Sequence, residues 1–346
     1  MKTTRYIFLL LLLISVLSCS EEDNILPEEV VLPELISGSA DFSNYVSIGA
    51  SFTAGYSDGA LFKASQENSF PSILAKEFAK AGGGNFTQPL MNDNTGGMVV
   101  GTTPVAAYRL IFNGSGPQRL NEFFASIGAP VPPITTDASV NLGSTFNNVG
   151  VPGAKSFHVT FSGYGSLNPY FGRMATSASA TMLGDAISQS PTFFTLSELG
   201  GNDVLAYATS GGIGMDQTGN FNPATYGFND ITDPSVFGQV FDGIVSALTD
   251  TGAKGAVTNV PYITDLPYFT TVPNNALVLD AGTAAQLTGV FQAVSGIFLQ
   301  GAVLQGVPLA QAQALATQYA ITFNEGPNRW IIDVPVTQSN PLGFRQ

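Results

Sequence analysis

The stretch YVSIGASFTAG, residues 45–55, decides the fold. It opens on an apolar run interrupted by a single serine, the pattern of a strand buried on both faces. Gly49 breaks the strand, Ser51 stands at the turn, and 53–62 reads as a helix. Strand, turn and helix in that order put a serine hydroxyl at the carboxyl edge of a sheet, beside the free amides of a helix N-terminus. The placement suits a nucleophile whose adduct becomes an oxyanion. It equally suits a plain helix N-cap, for which serine is a preferred residue.

Working outward, apolar runs at 144–149, 193–199 and 255–260 also read as buried strands, each followed by a turn rich in Gly, Asn or Pro. Helices are predicted over 70–80, 174–189, 234–249 and 286–304. Strand, turn, helix, strand in succession is the signature of a parallel sheet with crossover helices, the α/β class. The second turn, NVGVPGAK at 148–155, contains Gly153, whose backbone N–H no side chain obstructs. The third, ELGGNDV at 198–204, turns sharply on its Gly pair. It offers the Asn202 amide either to the crevice or to a local Asx turn. A hydroxyl, a backbone amide and a side-chain amide thus stand at successive strand ends, where open α/β sheets bind ligands. They are the parts of an acyl-transfer site, a nucleophile with oxyanion donors.

The rest of the chain narrows the options. It has 346 residues, of which 44% are hydrophobic and only 11% charged, so a sizeable core is available and disorder is excluded. A net charge of −13 with 12 basic residues argues against nucleic acid as a partner, since binding phosphate needs a basic stripe. One cysteine and one histidine exclude an internal disulfide, a thiolate cluster and a multi-histidine metal site. His158 is therefore the only ordinary candidate for a base of near-neutral pKa.

Residues 1–18 read as a lipoprotein signal peptide. Lys2 and Arg5 precede an apolar run at 7–17, which is too short to span a bilayer, and the run ends at VLSC with Cys19 as the lipidation site. Residues 19–40 read as an acidic tether, with six carboxylates and no base between 20 and 34. The domain follows at 41–346. It shows no continuous apolar run of membrane-spanning length, and an irregular insertion rich in Gly, Pro, Asn and Thr at about 82–141 is expected either to wall a site or to decorate the surface.

The set Ser51, Gly153 and Asn202, with the GGND and NVGVPG strings around the last two, resembles the SGNH (GDSL-type) esterase/lipase family. The wider text VPGAKSFH, NPYF and PTFFTL is similar to lipid-anchored members from Bacteroidota, and the acids after Cys19 resemble their surface-export signal. The resemblance implies a flavodoxin-like parallel sheet flanked by helices. It makes Ser51 the nucleophile, with the Ser51 and Gly153 amides and the Asn202 side chain as oxyanion donors. It implies no metal or organic cofactor, and a small ester, lipid or acylated glycan as substrate. The membrane would be a partner through lipidated Cys19, at the outer membrane, facing the periplasm or, preferably, the cell surface.

Two departures qualify this. The family's Gly-Asp-Ser is Gly49-Ala50-Ser51 here, which is expected to loosen the turn beside the nucleophile. Where the family has Asp-x-x-His near its C-terminus, the nearest text is Asp333-Val-Pro-Val336. Without a base, a serine hydroxyl is a weak nucleophile. His158 is read instead as a partly buried residue packing near Phe157 and Phe161. Residues 326–346 show no closing strand or helix, so the domain is expected to be incomplete at its C-terminal end. The alternative is a non-catalytic surface lipoprotein whose crevice, lined by the insertion, holds a ligand or glycan.

Overall fold

A computed structural model describes residues 35–271, 275–317, 319–329, 331–332 and 344–345. The signal peptide, Cys19, most of the tether, and Asp333 to Val336 lie outside the described residues. The chain divides into Met1–Ile36 and Ser37–Gln346, and everything below concerns the second unit.

Four parallel strands form the central sheet: β1 (Tyr45–Gly49), β2 (Asn148–Gly150), β3 (Phe193–Leu196) and β4 (Lys254–Val257), in the order β2-β1-β3-β4. Register is set by Ser47 opposite Asn148, Tyr45 opposite Phe193, and Phe193 opposite Lys254. The α/β class read from the sequence is therefore present as a parallel sheet flanked by helices. Alternation along the strands sends Val46, Ile48, Phe194 and Leu196 to one face. There they meet Met182 and Ala186 of α3 (Met182–Ile187) and Ile244 and Leu248 of α5 (Pro234–Thr249), all buried. On the other face Tyr45 stacks on Phe86 and meets Phe78 of α2 edge-on, with ring centroids 5.1 and 5.0 Å apart. The helices concerned are α1 (Ser51–Ala54), α2 (Phe70–Ala79), α3 (Met182–Ile187), α4 (Gly201–Thr209) and α5 (Pro234–Thr249). Buried polar groups on the sheet satisfy one another: the Thr195 hydroxyl lies 2.8 Å from the Tyr45 hydroxyl and 3.0 Å from that of Ser47.

Several predicted elements change length for local reasons. The helix expected over 53–62 is one turn, because Gly55 adopts φ +87° as its C-cap and Asp58 and Gly59 then turn the chain again. The helix over 174–189 shrinks to α3, capped by the Thr181 hydroxyl; the small hydroxylated residues before it compete for backbone hydrogen bonds instead of continuing a helix. The helix over 234–249 is found at those bounds, started by Asp233, whose carboxylate accepts the Ser235 and Val236 amides, and by Pro234. The strand expected at 193–199 stops at Leu196, since Glu198 takes φ +56°. Likewise 258–260 leaves the sheet after β4.

The insertion is less irregular than expected. It forms two antiparallel hairpins, Met98–Val100 with Thr103–Ala106 and Leu110–Phe112 with Pro117–Arg119, followed by a helix at Leu120–Ser126. Beyond β4, α6 (Ala281–Leu304) packs on α7 (Leu309–Thr317), with Phe298 stacked on Tyr319 at 4.1 Å and the Ser295 hydroxyl donating to the Ala316 carbonyl. Antiparallel pairs join Leu277–Leu279 to Gly326–Asn328 and Ile331–Ile332 to Phe344–Arg345. The 24-residue α6 is long and apolar enough to cross a membrane by length and composition, with a mean hydropathy of 1.6 over an 18-residue window. Reading for continuous apolar runs misses it, because Gly, Thr, Ser and Gln interrupt the run while no charged residue offsets the average.

Candidate active site

The three turns meet at the carboxyl edge of the sheet, at the switch point between β1 and β3. Gly49 ends β1 where only a glycine fits, since a Cβ would lie 2.7 Å from the Ser197 carbonyl oxygen and would also strike the Thr53 side chain. Beyond Gly49 the chain turns into α1, where Ala50 is the N-cap and Ser51 the first helical residue. Ser51 is not the cap. Among the described residues its hydroxyl and its backbone N–H have no hydrogen-bond partner. Ser51 lines a cleft of about 310 Å3 with Asn202 and Glu198, walled by Leu205, Val260 and Ile263.

Glu198 is the group that sequence reasoning passed over. Its Oε1 accepts the Ala50 and Thr53 amides, both at 2.8 Å, and its Oε2 accepts the Phe52 amide at 2.9 Å. The turn beside Ser51, expected to be loose for want of an aspartate at position 50, is tied down from the β3 turn instead. Burial pushes the Glu198 carboxyl above the usual carboxylate range, and the amides of Thr53, Phe52 and Ala50 offset only part of that. The signal was in the sequence, a lone acid between an apolar strand and a Gly pair. Its partners lie about 150 positions away, and nothing local marks them.

Asn202 does not close an Asx turn. Its side-chain amide donates to the Ala154 carbonyl at 2.9 Å, joining the third turn to the second. The neighbouring Asp203, 4% exposed, accepts the Ser156 amide at 2.9 Å and the Ser156 hydroxyl at 2.7 Å, a second tie between the same two turns. The second turn is tied in turn to the first through the Val151 amide, which donates to the Gly49 carbonyl at 3.0 Å. Gly153, at φ +80°, is exposed on this turn, and its amide has no partner among the described residues. It does not line the Ser51 cleft but a neighbouring one of about 290 Å3, with Lys155, Phe157, His158, Tyr226 and Phe228. Ser51 and Asn202 thus share one cleft, while Gly153 is linked to them by backbone and borders the next.

His158 belongs to that second cleft as well. Its Nδ1 accepts the Lys155 amide at 3.0 Å, and its ring stacks on Tyr164 at 4.4 Å and meets Phe157 edge-on. The packing reading of this histidine holds, with Tyr164 as the stacking partner. Burial pushes its pKa down to about 4; Asp203 opposes the shift and Lys155 adds to it. The buried Lys155 ammonium donates to the Asp230 carbonyl at 2.7 Å, and desolvation lowers its pKa against the pull of Asp203 and Asp230.

A titration follows from the chain's one imidazole. Its Cε1–H resonance is expected to titrate with a midpoint near 4, against 6.5 for a free side chain. The unfolded chain then binds a proton that the folded chain refuses between those values. Folding stability is complete above pH 6.5 and falls as pH drops toward 4, and His158→Phe flattens that limb in urea unfolding. A midpoint near 6.5 would show that the ring is solvated.

The insertion does not line the Ser51 cleft. With Met98, Val105 and Arg119 it walls a separate cavity of about 370 Å3, shared with Tyr56 and Tyr170. Among the described residues no cluster of three or more His, Cys, Asp or Glu is arranged to hold a metal ion. No family model, curated protein or solved structure matches this chain.

Proposed function

We propose that the chain is a serine ester hydrolase of the SGNH type that acts on carboxylic esters of lipids or acylated glycans through an acyl-enzyme on Ser51. One observation carries the reading. Ser51 is relieved of any capping duty by Glu198, has an unpartnered hydroxyl and amide among the described residues, and lines the same cleft as Asn202. The strand order β2-β1-β3-β4 and the position of the cleft at the switch point support it. The second turn, which borders the adjoining cleft, carries the Gly153 amide without a partner among the described residues. In this role the Ser51 N–H, the Gly153 N–H and the Asn202 amide stabilise the developing oxyanion. The apolar walls at Leu205, Val260 and Ile263 suit an acyl chain. The domain stands outside the cytoplasm, at the outer membrane through lipidated Cys19 and with the cell surface the favoured side.

No imidazole stands beside Ser51 among the described residues, because the one histidine borders the other cleft. Attack by Ser51 in this chain therefore proceeds with only the residual rate that oxyanion donors and binding supply, roughly 10³–10⁴-fold over water. The same observation favours a second reading, a surface lipoprotein that holds an ester, lipid or glycan in this crevice without cleaving it. A fluorophosphonate separates the two. Slow, stoichiometric labelling located at Ser51 by peptide mapping is the expected result. Retention of an ester ligand with no adduct after prolonged exposure selects the binding protein.

A further inference from the structure

We propose that Glu198 is the positioning residue of the Ser51 nucleophile. The inference rests on the reading of Ser51 as the nucleophile and assigns the group that shapes its turn.

A helix of one turn cannot hold itself together, because nucleation fixes several backbone angles for a single hydrogen bond. The first amides of α1 also have no carbonyl to meet within the helix. The Glu198 carboxylate takes the Ala50, Phe52 and Thr53 amides, on both sides of Ser51, and leaves the Ser51 amide without a partner. Three charge-assisted bonds from one side chain fix the turn in direction and in register. The selectivity is the point, since the one N–H left over belongs to the reacting residue.

Glu198 is itself held from three directions. Its amide donates to the Thr258 hydroxyl at 3.2 Å, its carbonyl accepts the Gly201 amide at 3.1 Å, and the Ser197 amide before it donates to the Ile48 carbonyl at 3.0 Å. Its backbone takes φ +56°, a left-handed conformation that a non-glycine residue keeps only where the surroundings impose it. Here the left-handed conformation directs the side chain to α1. The carboxylate touches no reacting atom; it acts through the turn.

The test compares wild type with Glu198→Ala, Glu198→Gln, and Glu198→Ala combined with Ala50→Asp, following fluorophosphonate labelling of Ser51 and amide hydrogen exchange of the folded full chain. Position 50, 1% exposed, is the N-cap of α1, two and three residues before the Phe52 and Thr53 amides, the positions that a capping carboxylate serves. With the turn released, a displacement on the ångström scale slows the maximal labelling rate about 100-fold with little change in reagent affinity. Glu198→Gln, which keeps an acceptor for two of the amides, falls between, and Ala50→Asp recovers at least about a tenth of the wild-type rate. In Glu198→Ala the Ala50, Phe52 and Thr53 amides lose exchange protection while β1 and β3 keep theirs, which separates release of the turn from general unfolding. Wild-type labelling rates in folded Glu198→Ala, or a slow rate that Ala50→Asp does not improve, overturn the proposal and leave the nucleophile reading intact. Absence of labelling in wild type overturns the nucleophile reading, and the positioning of Ser51 for reaction falls with it.

Discussion

Ser51→Ala is expected to abolish fluorophosphonate labelling of this chain and every trace of acyl-enzyme formation on an activated ester. The substitution removes the unpartnered hydroxyl of the cleft, whereas the Ser197 and Thr258 hydroxyls that also line it are hydrogen-bonded, and it disturbs little else. Ser51 is partly exposed, its hydroxyl has no partner among the described residues, and the helix it begins is capped by Glu198 through other amides. Stability should change by no more than about 0.5 kcal/mol, the range for partly exposed sites away from caps and core. Loss of the adduct in a protein with an unchanged urea midpoint therefore reports chemistry and not folding. The measurement is intact mass after exposure to the reagent, with peptide mapping of any adduct. Labelling that survives the substitution, or that maps elsewhere, ends the esterase reading. The binding reading makes the opposite statement about the same variant: ester retention is unaffected by Ser51→Ala, because a crevice that only binds needs no nucleophile.

Asp203→Ala carries the largest expected cost in stability. The carboxylate is 4% exposed and accepts both the amide and the hydroxyl of Ser156, itself fully buried. Truncation leaves two buried donors without an acceptor, each worth about 1–3 kcal/mol. It also removes one of the two carboxylates that favour the charged form of Lys155, whose exposure is likewise 4%. Asp230 remains to favour that cation, so the loss is set by the two orphaned donors and amounts to roughly 2–6 kcal/mol. Unfolding in urea should show the loss as a lower midpoint at constant slope. Asp203→Asn keeps an acceptor for Ser156 and should lose less than half as much. Equal losses in the two variants would mean that the charge, not the hydrogen bonding, dominates. The effect reaches the candidate site, since Asp203 ties the turn after β3 to the turn after β2, the two turns that present Asn202 and Gly153.

The sequence by itself determined the sheet. Four apolar runs, each ending in glycine or a turn-forming residue, announced buried strands; the first three are buried, while β4, last in the sheet order, is exposed along its length, and three of the turns carried Ser51, Gly153 and Asn202. That much is local, because the period of the side chains and the backbone freedom of glycine act within a few residues. Helix α5 was legible at both ends for the same reason, its start written in Asp233 and Pro234. The hairpins within 82–141 and the length of α6 were less legible, as neither shows a clean apolar period. Tertiary structure alone decided what each polar group does. It took capping away from Ser51 and gave it to Glu198, sent Asn202 to Ala154, and turned His158 into the cleft beside the one where a base would be needed. These partners lie about 50 to 150 positions apart in the chain. The hydrogen bonds of a buried polar group are chosen by whatever the fold carries within 3 Å, and no local pattern encodes that choice.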